Sequence, residues 1–152
     1  MEKNGMRRWQ FKTAVLFIFL SVAFNLPCAS GADYDGGVKV TLIKKATTAS
    51  NGQKLSYPAA GNPEVTALIV EIPPGGNTGW HSHPIPVYAY VLSGALTVEM
   101  DHSGPYLFKE GDALFEVLNT PHIGRNPGKE PVKLMVFYTG VEGTPSTEKI
   151  SR

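Results

Sequence analysis

The chain has 152 residues, of which 42% are hydrophobic and 18% are charged. This length corresponds to one domain, and this composition excludes an intrinsically disordered chain. The formal net charge is +1, but four of the 14 basic residues and one of the 13 acidic residues lie in the first 32 positions, so the remaining residues carry a net charge of −2. A nucleic-acid-binding protein needs a basic surface, and this balance predicts none.

The first 32 residues form the pattern of a secretory signal peptide. Four basic residues precede an apolar run of eleven residues at 14–24, Pro27 ends the run, and small residues follow up to Ala32. We expect cleavage near Ala32 and export to the periplasm or the extracellular space. The alternative is an uncleaved membrane anchor, the only membrane contact that we expect, but a spanning helix needs about 20 apolar residues.

Cys28 is the only cysteine, and it lies in this signal segment. The mature chain therefore has no disulfide and no thiolate chemistry. A lipidated cysteine normally follows a small residue, whereas Pro27 precedes Cys28.

The rest of the chain is predicted to be all-β. We divide it into an N-terminal arm with a first strand at 33–59, a main domain at 60–140 and a C-terminal tail at 141–152. Turn signals rich in Gly and Pro separate short runs of β-branched and aromatic residues, which favours an antiparallel sandwich or a small barrel. Residues 44–63 and 140–152 read as irregular arms. The seven predicted strands are Val38–Ile43, Val65–Ile72, Val87–Leu92, Ala95–Met100, Tyr106–Lys109, Ala113–Val117 and Val132–Thr139.

His81 and His83 are the first candidate ligands for a metal ion. On a strand, residues two apart project from the same face, about 6.6 Å apart. Two imidazoles at that spacing can converge on one ion. The alternative is a pair of surface histidines on a loop.

Two sequence motifs resemble those of the cupin family. Gly75 is followed by five residues, then His81-Ser82-His83, and later by Gly94; further on, Gly111-Asp112 opens a run that ends in His122 and Asn126. The resemblance covers residues 60–140 and implies a cupin jelly-roll barrel, an antiparallel sandwich that holds a metal ion. It assigns His81, His83 and His122 as the ligands. The resemblance does not identify which residues, if any, are catalytic.

The chain departs from the family pattern at Val87, where the family has a glutamate that binds the metal. A valine cannot bind a metal ion, so the resemblance implies a three-histidine site, and the alternative is a degenerate pocket with weak metal affinity. Glu116 is the best substitute for the missing acid, and the alternative is that it is an exposed carboxylate. The second motif also departs, since Val117-Leu118-Asn119 replaces the usual Pro-x-Gly.

Other residues are assigned by strand alternation and by their neighbours. Val87 should face the interior, and Tyr88 and Tyr90 should face outwards. Trp80 lines the mouth of the pocket or packs in the core, and Asn126 stays in register with the family motif as a candidate for supporting the pocket. The remaining polar candidates, which are expected at the surface, are Glu99, His102 and Arg125.

The expected function is that of an exported metal-binding cupin. Imidazole ligands suit Fe, Mn, Zn, Cu and Ni alike, and their affinity should fall below a pH of about 6.5 because binding needs neutral rings. The first hypothesis is an oxygenase-type or isomerase-type enzyme with Fe(II) or Mn(II) that acts on a small organic molecule. The alternatives are a non-catalytic module for a sugar-like ligand and a metal that serves folding. By analogy with cupins, a homodimer is also expected.

Overall fold

A computed structural model describes residues 41–58 and 61–151. These residues form β-strands, turns and loops, with no helix among them, as the sequence predicts for an all-β protein. Accordingly, this part of the chain contains no helix that is long and apolar enough to cross a membrane. The strands are β1 (Pro63–Ile72), β2 (His81–Ser82), β3 (Val87–Ser93), β4 (Ala95–Met100), β5 (Ser103–Lys109), β6 (Ala113–Phe115), β7 (His122–Arg125), β8 (Val132–Val141) and β9 (Glu148–Lys149).

The strands form two antiparallel sheets, which confirms the predicted jelly-roll fold. One sheet has the strand order β1-β8-β3-β6, and the other has the order β5-β4-β7-β2-β9. Apart from the hairpin of β4 and β5, neighbours in each sheet are not consecutive in sequence, as in β1 and β8, which pair from Pro63 with Val141 to Ile72 with Val132. This interleaving brings residues from the two halves of the domain face to face.

The strand β3 shows how the sequence determines the inner and outer faces. Val87, Ala89 and Val91 are buried in the core, whereas Tyr88 and Tyr90 lie on the outer face and are half-buried. The predicted alternation is therefore confirmed. Burial of one such valine side chain contributes about 1.5–3 kcal/mol. The core also takes apolar side chains from the other strands, namely Ile72, Leu96, Val98, Met100, Leu114, Val132, Leu134 and Val136.

Six of the seven predicted strands are present, with ends shifted by a few residues. The prediction of a strand at Val38–Ile43 is wrong for residues 41–43, which lie outside any strand; residues 38–40 fall outside the described residues. Three short strands, β2, β7 and β9, were not predicted, because two to four residues carry too little alternation to be recognised.

The two segments expected to be irregular arms are packed against the domain. Ala49 belongs to the hydrophobic core, and the Ser50 amide donates a hydrogen bond to the Phe115 carbonyl at 3.2 Å. In the C-terminal segment, β8 continues to Val141, and β9 pairs with β2 at the edge of the five-stranded sheet. The prediction that residues 140–152 are irregular is therefore wrong at both of these strands.

Candidate metal centre

Three histidines come from the five-stranded sheet. His81 in β2 and His122 in β7 are direct cross-strand partners, so their side chains lie on the same face. His83 follows β2 and forms an isolated parallel bridge with Leu118. The Asn119 amide donates a hydrogen bond of 2.8 Å to the His83 carbonyl, which attaches this residue to the loop before β7.

Glu116 comes from the opposite sheet. It follows β6 directly, and its amide donates a hydrogen bond of 3.0 Å to the Val87 carbonyl. The β3–β6 register pairs Tyr88 with Phe115, so Glu116 is the cross-strand neighbour of Val87. Cross-strand neighbours share a face, and Val87 faces the interior. The carboxylate that the resemblance would place at position 87 thus reaches the interior from the neighbouring strand.

The four side chains converge on one point. One ligand atom each from His81, His83, Glu116 and His122 lies within 4.8 Å of the others, and these residues could hold a metal ion. The Glu116 Oε2 atom lies 2.9 Å from His83 Nε2 and 3.2 Å from His122 Nε2. The His83 and His122 side chains are buried, and that of Glu116 is 17% exposed. The alternative that Glu116 is an exposed carboxylate is therefore wrong.

Backbone carbonyls orient all three imidazole rings. His81 Nδ1 lies 2.9 Å from the Gly79 carbonyl, His83 Nδ1 lies 2.7 Å from the Ser146 carbonyl, and His122 Nδ1 lies 2.8 Å from the Thr120 carbonyl. A carbonyl oxygen only accepts, so each Nδ1 carries the proton and donates it. In a neutral ring, Nε2 then carries the lone pair. This is the tautomer that metal-binding histidines adopt when the other ring nitrogen is hydrogen-bonded.

This arrangement fits a cation. With the Nδ1 protons held by carbonyls, the Nε2 lone pairs of His83 and His122 both point at a carboxylate oxygen about 3 Å away. Lone pairs at that distance repel unless a proton or a metal ion lies between them. The donor set of three imidazole nitrogens and one carboxylate oxygen suits a divalent transition metal.

The charges in the cluster shift the pKa values of its members. Burial lowers the pKa of His81. Burial also acts to lower the pKa of His122, but the hydrogen bond and the charge of Glu116 outweigh it, and the net shift is upwards. For Glu116, burial acts to raise the pKa. The hydrogen bonds that its carboxylate accepts from His122 and His83 when their Nε2 atoms are protonated, together with the charges of these rings, outweigh this effect and hold the pKa well below its usual range.

The remaining predicted residues have structural roles or lie at the surface. Trp80 is half-buried, and its carbonyl accepts a hydrogen bond from the Ile150 amide. The buried Asn126 side chain forms hydrogen bonds with the backbone of Ile72, Glu130 and Gly128, so it ties the end of β1 to the loop before β8.

The surface predictions are confirmed for His102, whose side chain is 94% exposed, and for Arg125, which pairs with Glu99 at 2.9 Å.

Sequence reasoning missed the residues that support the ligands. Tyr138 lies on the inner face of β8 as the partner of Val87, and its ring centroid lies 5.5 Å from that of His83. Ser146 and Thr147 contact His83 from a segment 63 and 64 residues further along the chain. No local pattern marks these three residues, because only the strand pairing brings them to the site.

Residues 68–138 match the family model described as the cupin domain. The match contains all four residues of the cluster, the whole of β2 to β7, and parts of β1 and β8. Residues 68–138 therefore form a cupin domain. No curated protein matches the chain.

Solved structures of enzymes share this fold. The DMSP lyase DddQ from Ruegeria pomeroyi DSS-3 aligns with a TM-score of 0.50 and 25% identity, over 56% of this chain and 42% of that chain. A structure from work on the DMSP lyases RdDddP and RnDddQII aligns with a TM-score of 0.51 and 20% identity, over 57% of this chain and 44% of that chain. An oxalate decarboxylase from Lactobacillus farciminis, solved as a formate complex, has a TM-score of 0.49 and 26% identity, over 57% and 26% of the two chains. This chain therefore spans less than half the length of each of these proteins.

Proposed function

We propose that the protein is a metal-dependent cupin enzyme that binds one divalent ion through His81, His83, His122 and Glu116. The observation that carries the proposal is the position of the Glu116 carboxylate, which faces the Nε2 atoms of His83 and His122 at 2.9 and 3.2 Å while their Nδ1 protons are held elsewhere. A buried carboxylate among imidazole lone pairs needs a cation, and three histidines with one carboxylate form a suitable ligand set for it.

The four ligands determine the charge of the loaded site. Three neutral imidazoles and one carboxylate contribute −1, so a divalent ion leaves the site at +1, against +2 for three histidines alone. When bound, the ion would supply Lewis-acid chemistry and polarise an oxygen of the substrate. The substrate that best fits this charge is a small organic molecule with an anionic or strongly polar oxygen.

Three cavities that share lining residues offer space for a small-molecule substrate on the Glu116 side of the site. A space of about 10 Å³, lined in part by Glu116, Pro86 and Leu118, has room for about one water molecule. Pro86 and Leu118 also line a cavity of about 210 Å³, which in turn shares Tyr57 with a cavity of about 300 Å³. None of the three cavities is lined by His81, His83 or His122, so a substrate that reaches the ion from this side would have to widen the space beside Glu116.

The reaction type is proposed at the level of classes. Ligand chemistry is compatible with the oxygenase-type and isomerase-type activities that the cupin resemblance implies, with Fe(II) or Mn(II) as the ion. The similarity to the DMSP lyase DddQ adds lyase activity as a third class to be assayed. The case for a non-catalytic sugar-binding module rests on the missing carboxylate at Val87 and on the absence of a convincing acid or base, and Glu116 supplies a carboxylate at the site.

We further propose that the protein acts outside the cytoplasm, as a periplasmic or extracellular enzyme. Support comes from the signal-peptide pattern in residues 1–32 alone. N-terminal sequencing of the protein from culture fractions tests it, and an intact Met1 in a cytoplasmic fraction would contradict it.

Elemental analysis of untagged protein tests the metal proposal. We expect about one equivalent of a divalent transition metal in the wild type. We expect none in His122→Ala, which removes a ligand. In Glu116→Gln the metal affinity should fall at least about 10- to 100-fold, because an amide oxygen is a weaker ligand than a carboxylate.

The matched control is His102→Asn, which removes an exposed imidazole of the same chain. His102 has a φ of 60°, and Asn tolerates this left-handed conformation better than most residues do. The metal content of His102→Asn should equal that of the wild type. Equal metal content in the wild type and in folded His122→Ala would contradict the proposal.

A further inference from the structure

The C-terminal segment of residues 145–150, which we call the C-terminal strap, lies against β2, which contains His81 and directly precedes His83. Within the strap, Glu148 pairs with Ser82 and Lys149 pairs with His81. The Ile150 amide donates a hydrogen bond of 2.9 Å to the Trp80 carbonyl. The strap therefore covers the free edge of β2.

His83 differs from the other two histidines in how its ring is held. His81 and His122 each donate their Nδ1 proton to a carbonyl two residues earlier, so their orientation is set by their own loops. His83 instead donates to the Ser146 carbonyl at 2.7 Å, an acceptor 63 residues away in the strap. The orientation of one ligand thus depends on a segment that is remote in sequence.

Thr147 adds a second contact at the same nitrogen. Its Oγ1 lies 3.3 Å from His83 Nδ1. Tyr138 places its ring beside that of His83. The strap and β8 therefore hold the His83 ring on two sides.

We propose that the C-terminal strap is a positioning element of the metal centre, which holds His83 in the Nδ1–H tautomer with Nε2 facing Glu116. An unconstrained neutral imidazole favours the Nε2–H tautomer, which offers the metal site an N–H in place of a lone pair. Detaching the strap would therefore remove one ligand without changing any ligand residue. The consequence for metal affinity rests on the proposed function, whereas the effect on the His83 tautomer does not.

The test compares the wild type with a chain that ends at Thr144 and with Thr147→Val. Imidazole ¹⁵N chemical shifts of the metal-free proteins report the tautomer of each histidine, and His81 and His122 serve as controls within the same molecule. We expect His83 alone to move towards the Nε2–H tautomer in the shortened chain, and to a smaller extent in Thr147→Val. Thr147→Ser, which keeps the hydroxyl, should restore the wild-type shifts.

Titration with Zn²⁺ against a chelator supplies the second readout. The shortened chain should bind about 10- to 100-fold more weakly than the wild type, the range found when groups that orient a ligand are removed. Lys149→Ala, a change to an exposed side chain of the strap, is the matched control and should bind like the wild type. Should the shortened chain fail to fold, Thr147→Val against Thr147→Ser gives the same comparison in the intact chain.

The two proposals fail in different ways. Zn²⁺ binding that is equal in all variants, with an unchanged His83 tautomer, would overturn the role of the strap and leave the metal site standing. A wild type that binds no Zn²⁺, but in which loss of the strap switches His83 alone, would overturn the metal site and support the role of the strap.

Discussion

Glu116 controls the protonation of His122. Its negative charge raises the pKa of His122 against the opposing effect of burial, while burial lowers the pKa of His81. Glu116 itself stays ionised far below neutral pH, because its pKa is held down by its hydrogen bonds to His122 and His83 in spite of its burial. In the metal-free protein, His122 is therefore the group whose proton competes with a metal ion near neutral pH.

The apparent metal affinity should decrease as the pH falls through the raised pKa of His122. Metal binding needs the deprotonated ring, so affinity is constant above that pKa and falls about tenfold per pH unit below it, as one proton is displaced per ion. The loss of metal affinity should begin above pH 6.5, because the pKa of His122 is raised above 6.5, the ordinary pKa of a histidine. Chelator competition between about pH 5 and 8 measures this dependence.

Glu116→Gln is the variant that separates the influence of Glu116 on the pKa of His122 from a general loss of metal affinity in acid. Without the carboxylate, only the hydrogen bond to the Thr120 carbonyl opposes the effect of burial on the pKa of His122. The onset of the loss should therefore move to lower pH, while the affinity at high pH also falls. An onset at the same pH in both proteins would show that Glu116 does not control the protonation of His122.

At the scale of strands, the inner face of the four-stranded sheet carries a row of three neighbours. Tyr138 in β8 pairs with Val87 in β3, and Val87 lies opposite Glu116 after β6. Tyr138 contacts the His83 ring, so this row borders the metal centre. Positions 87 and 116 are therefore two places on adjacent strands from which a carboxylate can reach the same centre.

Moving the carboxylate from position 116 to position 87 should preserve part of the metal affinity. Glu116→Val alone should lose metal affinity, and Val87→Glu combined with Glu116→Val should recover it by at least about tenfold, because cross-strand neighbours on one face lie about 5 Å apart. Isothermal titration with Mn²⁺ or Zn²⁺ measures both variants.

The matched control places the new carboxylate on the other face of the same strand. Tyr90 lies on the outer face of β3, since side chains alternate with a period of two. Tyr90→Glu combined with Glu116→Val should recover nothing. Equal recovery in both double variants, or in neither, would contradict the assignment of a shared inner position to residues 87 and 116.

At the scale of the molecule, the ligands come from both sheets. His81, His83 and His122 belong to the five-stranded sheet and its loops, whereas Glu116 extends from the four-stranded sheet. An ion bound by all four would therefore cross-link the sandwich. Such an ion binds the folded state and not the unfolded chain, so it must stabilise the fold.

Metal addition should raise the melting temperature. At a free metal concentration 100 times the Kd, the stabilisation is about 2.7 kcal/mol, which corresponds to about 10 °C for a domain of this size. Differential scanning fluorimetry with Mn²⁺ or Zn²⁺, reversed by a chelator, measures the shift. His122→Ala should show almost no shift and His102→Asn the full one, and a shift of the same size in His122→Ala would point to non-specific binding.

The sequence alone determined the parts of this protein that depend on local pattern. The alternation of Val87, Ala89 and Val91 with two tyrosines predicted which face of β3 is buried, because strand periodicity is a property of consecutive residues. The resemblance of two short motifs to the cupin family located His81, His83 and His122. The strands β2, β7 and β9, of two to four residues, were too short for their pattern to be recognised.

Only the tertiary structure decided which residues complete the site. Whether Glu116 is exposed or faces the histidines depends on the register of β6 against β3, and a shift of that register by one residue would turn its side chain to the other face. The contact between Ser146 and His83 joins residues 63 positions apart. Pairing between distant strands and segments is decided by the packing of the whole sandwich, so no local window of the sequence contains it.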